Sequence, residues 1–397
     1  MSNRKLGIAI IGLGGAVGTT MVAGIELLKK GVIGTEGLPL AELAENLTVD
    51  LADYENIVFG GWDLFGAHLA KAAEEHDVLT HKQFVAVENE LRKIKPWRAV
   101  ENREFLANIE GENKVSERNS HRQTIEKIRQ DLQKFKKSCD QAVVINLAST
   151  EKLADEGNEI FNSIDGFEKA LDENSKEISP AMLYAYAAIA EAVPYGNFTP
   201  SVSTDVPALI RFAETQNVPI AGKDGKTGQT MIKTVLAPAF RTRALKVEGW
   251  YSTNILGNRD GLALSNEDSL ASKIKTKGSV LDDILGYKVE DHLVDIRYYR
   301  PRGDNKEAWD NIDVRGFLGQ PMQIKINFLC KDSILAAPLA IEIARLLDLA
   351  KRRESYGVQE QLSVFFKLPM TVEKDAAPEH ALHVQEKMLL DWLSKNE

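Results

Sequence analysis

The chain has 397 residues, and its 49 basic against 58 acidic residues leave a net charge of -9, which argues against a nucleic-acid or anionic-membrane surface. Hydrophobic residues make up 44%, enough for a full core, and the length suits two or three domains or one α/β unit carrying an insertion. The only cysteines, Cys139 and Cys330, are far apart, which excludes a cysteine-ligated zinc site and fits a reducing cytoplasm. No stretch approaches the ~20 apolar residues of a spanning helix, and glycines interrupt any signal-peptide core, so a soluble, unprocessed protein is expected.

Residues 6–11 form a continuous apolar run that reads as a buried parallel strand. Gly12-Leu-Gly14-Gly15-Ala16-Val17-Gly18 follows, and then an amphipathic helix to residues 28–31. Strand, glycine turn and helix make a dinucleotide-binding start. Gly12 allows the tight turn, Gly14 lets backbone approach a pyrophosphate, Gly18 lets helix and strand pack, and the helix N-terminus faces the phosphates. The acidic residue that would hold the adenosine ribose is expected about 20 residues on. Here residues 32–55 are a polar connection, and Asp63, after the strand at 56–60, is the candidate. Asp63 equally suits the cap of a helix over 64–75.

Residues 116–137 read as an exposed helix and 141–148 as a buried strand. Ser149, Thr150 and Glu151 then stand where a doubly wound sheet delivers residues to its ligand crevice, although Thr150 could cap the next helix. Residues 155–176 read as a solvated acidic helix and linker, 180–193 as a buried helix, 206–216 as a helix and 218–221 as a strand. This alternation predicts an α/β fold with a doubly wound, Rossmann-type parallel sheet. The pattern then changes: a helix at 230–240 and strands at 244–255, 293–299 and 322–329 predict an inserted α+β unit with a substantially antiparallel sheet. A long helix from Asp332 to residue 351 returns to the first unit, and a charged helix follows Pro378. The expected division is a dinucleotide-binding domain over 1–231, an inserted catalytic and oligomerisation domain over 232–332, and a C-terminal return over 333–397.

Three polar, glycine-bearing segments, 222–230, 254–261 and 272–279, look like site-building loops. Gly225-Lys226-Thr227 ends like a triphosphate-binding loop, but Ile220 occupies the position of that loop's first glycine. His380 and His383 have metal-ligand spacing without a third ligand, and no metal is assigned. Lys273, Lys277, Lys306 and Lys367 are cations in polar or turn-like settings; gathered round a carbonyl, such groups supply a base and oxyanion donors.

The glycine turn at 12–20, Gly60-Gly-Trp-Asp63, Gly222-Lys-Asp-Gly-Lys-Thr-Gly-Gln-Thr230, Leu256-Gly-Asn-Arg-Asp-Gly261, Ser272-Lys273 with Lys277 and Val280-Leu-Asp-Asp283, Gly303-Asp-Asn-Lys306 and Asp332-Ser-Ile-Leu-Ala-Ala-Pro338 occur in this order. Together they closely resemble the myo-inositol-1-phosphate synthase family, also called inositol-3-phosphate synthases, over residues 7 to about 370. The resemblance implies an NAD-dependent enzyme that converts glucose 6-phosphate to inositol 3-phosphate by oxidation at carbon 5, enolisation, aldol closure and reduction. It implies active-site Lys273, Lys277, Lys306, Lys367, Asp224 and Asp332, and substrate contacts from Thr227, Gly228, Gln229, Asn258 and Asp260. NAD would lie against Gly12, Gly14, Gly15, Ala16, Val17, Gly18, Asp63, Ser149 and Thr150. A homotetramer and a divalent cation or ammonium belong to the same expectation. Lys223 stands where many members have Asp, and Lys331 where many have Glu, as in a divergent bacterial branch. This implies two extra positive charges at the site. A sugar-phosphate dehydrogenase or cyclase with a changed substrate, or a non-catalytic NAD-binding protein, is the alternative.

Overall fold

The computed structural model describes residues 4–43, 49–257, 261, 280–373 and 376–395. Strand β1 (Leu6–Ile11) runs through the glycine turn into helix α1 (Ala16–Lys29). Then come β2 (Ile57–Asp63), α2 (Leu69–His76), α3 (His81–Lys93) and the short β3 (Trp97–Arg98). Helix α4 (His121–Lys136) leads to β4 (Gln141–Asn146), and α5 (Ile164–Asp172) and α6 (Pro180–Ala190) lead to β5 (Tyr195–Asn197). Helix α7 (Pro207–Thr215) precedes β6 (Pro219–Ala221).

After helix α8 (Gln229–Thr242), the chain forms β7 (Lys246–Leu256), β8 (Asp291–Tyr298), β9 (Asn305–Arg315) and β10 (Pro321–Lys331). It returns through α9 (Asp332–Arg352), then adds β11 (Gly357–Val358) and α10 (Leu382–Leu393).

The first sheet has the order β11-β6-β5-β4-β1-β2-β3, with every pairing parallel. Its strand order reverses at β1, between β4 and β2. There the connections diverge to opposite faces and leave a crevice at the carboxyl ends. Both faces are covered, which is why β1 reads as unbroken hydrophobic sequence. Ile8 and Ile10 pack with Met21 and Ile25 of α1 and Leu346 of α9, whereas Ala9 and Ile11 face Ile125 and Leu132 of α4 and Met182 of α6. Burial of one such isoleucine contributes about 2 kcal/mol. Truncating Ile10 to Ala should cost more, about 3 kcal/mol, because the cavity left behind adds to the loss.

The second sheet has the order β10-β9-β7-β8, with β9 antiparallel to both neighbours and β7 parallel to β8. One face packs Val247, Trp250, Ile312 and Val314 against Ala237 and Phe240 of α8. The other leaves Leu293 and Leu329 exposed. Among the described residues, no helix is long and apolar enough to cross a membrane.

The structure differs from the sequence reading in several places, three of which bear on the site or the core. Strand β9 was not expected; its inward positions include Asp310 beside Ala308, Ile312 and Val314, so apolar alternation is broken. Helix α2 starts at Leu69 with His68 as its cap, not at residue 64 with Asp63. Within 155–176, Phe161, Phe167 and Leu171 are buried against α6 and α7, so this segment is a core contributor and not a solvated linker.

Candidate active site

A cavity of about 220 Å³ opens at the carboxyl ends of β1 and β4 and is closed by the 222–228 loop, the start of α8 and the second sheet. Its walls carry two sets of groups.

The first set belongs to the glycine turn. Gly12, Gly15, Ala16, Val17 and Gly18 line the cavity, and Gly15, the cap position of α1, makes no side-chain cap bond. First-turn N–H groups and the positive helix end therefore face the cavity, a setting that favours a phosphate. At Gly12 and Gly18 the turn has no room for a side chain. A Cβ on Gly18 would lie 2.6 Å from the Leu13 carbonyl oxygen, and Gly12 holds φ +86° with its Cβ position 3.0 Å from the Leu147 oxygen. Gly14 stands one layer back: its N–H donates to Asp63 Oδ2 at 2.8 Å, and a Cβ there would press on the Asp63 carboxylate at 3.1 Å. Asp63 Oδ1 accepts the Phe65 N–H at 2.9 Å. Asp63 is thereby oriented by backbone N–H groups, and carboxylate oxygens are acceptors of the kind that ribose hydroxyls use. Ser149 and Thr150 line the wall after β4. These groups fit a dinucleotide: an uncapped helix end, a turn whose glycine positions leave no room for a Cβ, and a locked carboxylate at the end of β2.

The second set comes from distant parts of the chain. The 222–226 loop runs antiparallel to 365–370: Lys223 N–H donates to Leu368 O at 2.8 Å, Lys226 N–H to Phe365 O at 2.8 Å, and Lys367 N–H to Asp224 O at 2.7 Å. This ladder puts Asp224 opposite Lys367, whose ammonium donates to Asp224 Oδ1 at 2.6 Å, with both side chains buried. Lys306, near the start of β9, donates to Oδ1 of Asp332, in the first turn of α9, at 3.2 Å. Thr227 Oγ1 donates to the same oxygen at 3.4 Å. Asp304 fixes that helix start by accepting from Ser333 N–H at 3.1 Å and Ser333 Oγ at 2.7 Å. Asp224, Thr227, Gly228, Gln229, Lys306, Asp332 and Lys367 all line the cavity. Lys273, Lys277, Asn258 and Asp260 lie outside the described residues.

The two expected extra cations are not in this cavity. The Lys223 ammonium is bonded to Asp205 and, at 3.1 Å, to Glu156. Burial opposes its charge, but the two carboxylates outweigh that and raise its pKa. Lys331 donates to the carbonyls of Asp77 at 2.9 Å and Val78 at 2.8 Å. Lys226 is also turned away, bonded to Gln385 of α10, and burial pushes its pKa down to about 7.

Among the cavity residues, Glu151 was named from sequence beside Ser149 and Thr150 without a role, Asn254 only as the start of a polar segment, and His76 not at all. Glu151 accepts the Ala181 N–H at 3.1 Å, and burial raises its carboxyl to about 7. His76 meets Gly14 O through Nε2 at 2.9 Å. Asn254 is buried on the inward face of β7. Asn254 had a sequence signal because it opens one of the three glycine-bearing segments, and Glu151 because it follows Ser149 and Thr150 at the crevice.

Residues 6–394 match the model of an NAD-binding family described as myo-inositol-1-phosphate synthase. The chain is 44% identical over 413 aligned positions to inositol-3-phosphate synthase 1 of Bacteroides thetaiotaomicron, covering 98% of this chain and 95% of that protein. It is 30% identical to the Saccharomyces cerevisiae inositol-3-phosphate synthase, covering 93% and 81%. The crystal structure of the Caenorhabditis elegans inositol-3-phosphate synthase superposes with a TM-score of 0.90 at 26% identity, covering 98% of this chain and 85% of that one. A myo-inositol-1-phosphate synthase-related protein from Thermotoga maritima gives 0.81 at 25% identity, covering 98% of both chains. The chain belongs to the myo-inositol-1-phosphate synthase family.

Proposed function

We propose that this chain converts D-glucose 6-phosphate to 1D-myo-inositol 3-phosphate (1L-myo-inositol 1-phosphate) with NAD as a recycled cofactor. The observation that carries this reading is the shared cavity: the phosphate-ready end of α1 and the oriented Asp63 lie along the same walls as Lys367–Asp224 and Lys306–Asp332. NAD supplies reversible hydride acceptance, which makes the overall isomerisation redox-neutral. Gly12, Gly15, Ala16, Val17 and Gly18 would hold its pyrophosphate, Asp63 its ribose, and Ser149 and Thr150 the crevice wall.

The lysines do the rest. A ketone at carbon 5 acidifies carbon 6, and an ammonium placed at the carbonyl oxygen stabilises the enolate; one such donor is typically worth about 3 kcal/mol. Lys306 and Lys367 are held at the cavity wall by their carboxylate partners, so donors need no reorganisation as charge develops. Lys273 and Lys277 complete the lysine set in this reading. Asp224 and Asp332 position ammonium groups, and Thr227 and Gly228 form substrate contacts.

The same reading includes a homotetramer assembled through the exposed face of the second sheet, a cytoplasmic setting for the two free cysteines, and stimulation by a divalent cation or ammonium. Purified protein incubated with glucose 6-phosphate and NAD tests it: inositol phosphate should form without accumulation of NADH. Accumulating NADH with no inositol phosphate would overturn it in favour of a dehydrogenase.

A further inference from the structure

The loop that carries Asp224 and Thr227 is also held from behind, by the C-terminal helix. Lys226 lies between those two residues, and its side chain leaves the cavity for α10, where the ammonium donates to Gln385 Oε1. Lys226 is 4% exposed and Gln385 is fully buried. Gln385 Nε2 in turn donates to the Glu379 carbonyl at 2.6 Å. The amide has one workable orientation, since reversing it would set its NH2 against an ammonium and its oxygen against a carbonyl.

Helix α10 is firm enough to serve as an anchor. Leu389 and Leu393 are packed in one core with Leu362, Phe365 and Phe366, and Arg353 donates to the Trp392 carbonyl at 2.8 Å and the Leu393 carbonyl at 3.2 Å in the last turn. The start of the helix reaches the second unit as well. His380 Nε2 lies 3.5 Å from Asp283 Oδ2, in a helical turn over 280–285 whose Val280, Leu281 and Ile284 are packed with Trp250 and Ile312 of the second sheet. His380 is buried and His383 exposed, so the two histidines noted in the sequence face different surroundings. Residues 379–385 thus grip the crevice loop on one side and the second unit on the other.

We infer, resting on the proposed sugar-phosphate reaction, that Gln385 is a positioning residue: through Lys226 it fixes the 222–228 loop, and with it Asp224 against Lys367 and Thr227 against Asp332. The ladder between 222–226 and 365–370 holds the loop along one line, about which it could still roll. The Lys226 side chain, fastened to a different element, removes that freedom. A misplacement of about 1 Å at a reacting group can cost about 100-fold in rate, so a hold outside the cavity bears directly on turnover.

The test compares full-length wild type, Gln385→Leu, Gln385→Glu and Leu393→Ala by amide hydrogen exchange in peptides from 222–230, by NAD affinity and by kcat for inositol phosphate formation. Gln385→Leu leaves the Lys226 ammonium buried without its acceptor. Exchange across 222–230 should rise and kcat should fall at least about tenfold, while NAD affinity stays within about threefold because the glycine turn is untouched. Gln385→Glu keeps an acceptor for Lys226 and should retain kcat within about threefold, a rescue that a merely structural role would not give. Leu393→Ala weakens the same helix by core truncation and should lower the melting temperature without raising exchange at 222–230 or lowering kcat. If Gln385→Leu does not fold, Lys226→Met removes the same bond and should give the same pattern. Unchanged exchange and kcat in the variant that lacks the bond, or equal losses in Leu393→Ala, would overturn the inference while leaving the proposed reaction standing. Wild-type protein that makes no inositol phosphate would overturn the reaction and the positioning role together.

Discussion

Asp224 and Lys367 are joined twice, through the Lys367 N–H to the Asp224 carbonyl at 2.7 Å and through the Lys367 ammonium to Asp224 Oδ1 at 2.6 Å. The backbone bond sets the side chains opposite each other, and burial makes each depend on the other. Breaking a buried pair leaves an uncompensated charge, which costs about 3–5 kcal/mol. Lys367→Met or Asp224→Asn alone should therefore destabilise by that order and lower turnover about 100-fold or more. The double variant should be less destabilised than the sum, a non-additivity read by denaturant unfolding of all four proteins. Additive losses would mean that the pair is not coupled.

Gly14 acts through Asp63. Gly14→Val would force the Asp63 carboxylate from its place 3.1 Å away, so it should weaken NAD binding at least as much as Asp63→Ala does, with the fold retained. Titration of the two variants with NAD and circular dichroism checks this. Full NAD affinity in folded Gly14→Val protein would contradict it.

Much of this site was legible in sequence because its parts are local. The turn at 12–18 carries its own reason for each glycine, and the strand–turn–helix order places it at the crevice. The pairing of Asp224 with Lys367 was not legible, since it depends on an antiparallel ladder between segments 143 residues apart. Strand β9 was hidden for a related reason: Asp310 occupies an inward position because of the Gln229 and Trp250 contacts, and a buried carboxylate looks like a loop residue in a hydrophobic pattern. Lys223 and Lys331 misled in the opposite direction. Their neighbours in sequence are site residues, but their side chains leave the cavity for Asp205, Glu156 and the carbonyls after α2.

Glu151 makes stability depend on pH. Burial raises its carboxyl from the ordinary 4.5 to about 7, so the folded protein binds more protons than the unfolded chain between those values. Stability contributed by the neutral form is present below the unfolded pKa and is lost as pH rises through the folded one. At ~1.4 kcal/mol per tenfold change, the loss above about pH 7 is about 3 kcal/mol. Glu151→Gln should thus be more stable than wild type at about pH 8, and the difference should shrink towards about pH 5. Melting temperatures across that range measure it; a pH-independent difference would contradict the burial argument.

The exposed face of the second sheet carries the assembly prediction. Leu293 is 58% exposed and Leu329 64%, on the outer strands β8 and β10. Exposed apolar side chains of this kind on the outer strands favour burial against other subunits. Light scattering should show a tetramer, and Leu293→Lys with Leu329→Lys should shift it to smaller species at micromolar concentration. A wild-type monomer at those concentrations would contradict it.

The proposed reaction is a closed redox cycle on one sugar phosphate. Glucose 6-phosphate labelled with deuterium at carbon 5 tests it most directly, with mass spectrometry of the inositol phosphate and of the free cofactor pool. The inositol phosphate should keep its deuterium, and the cofactor pool should carry no label. Deuterium accumulating in free NADH, with no labelled inositol phosphate, would contradict it.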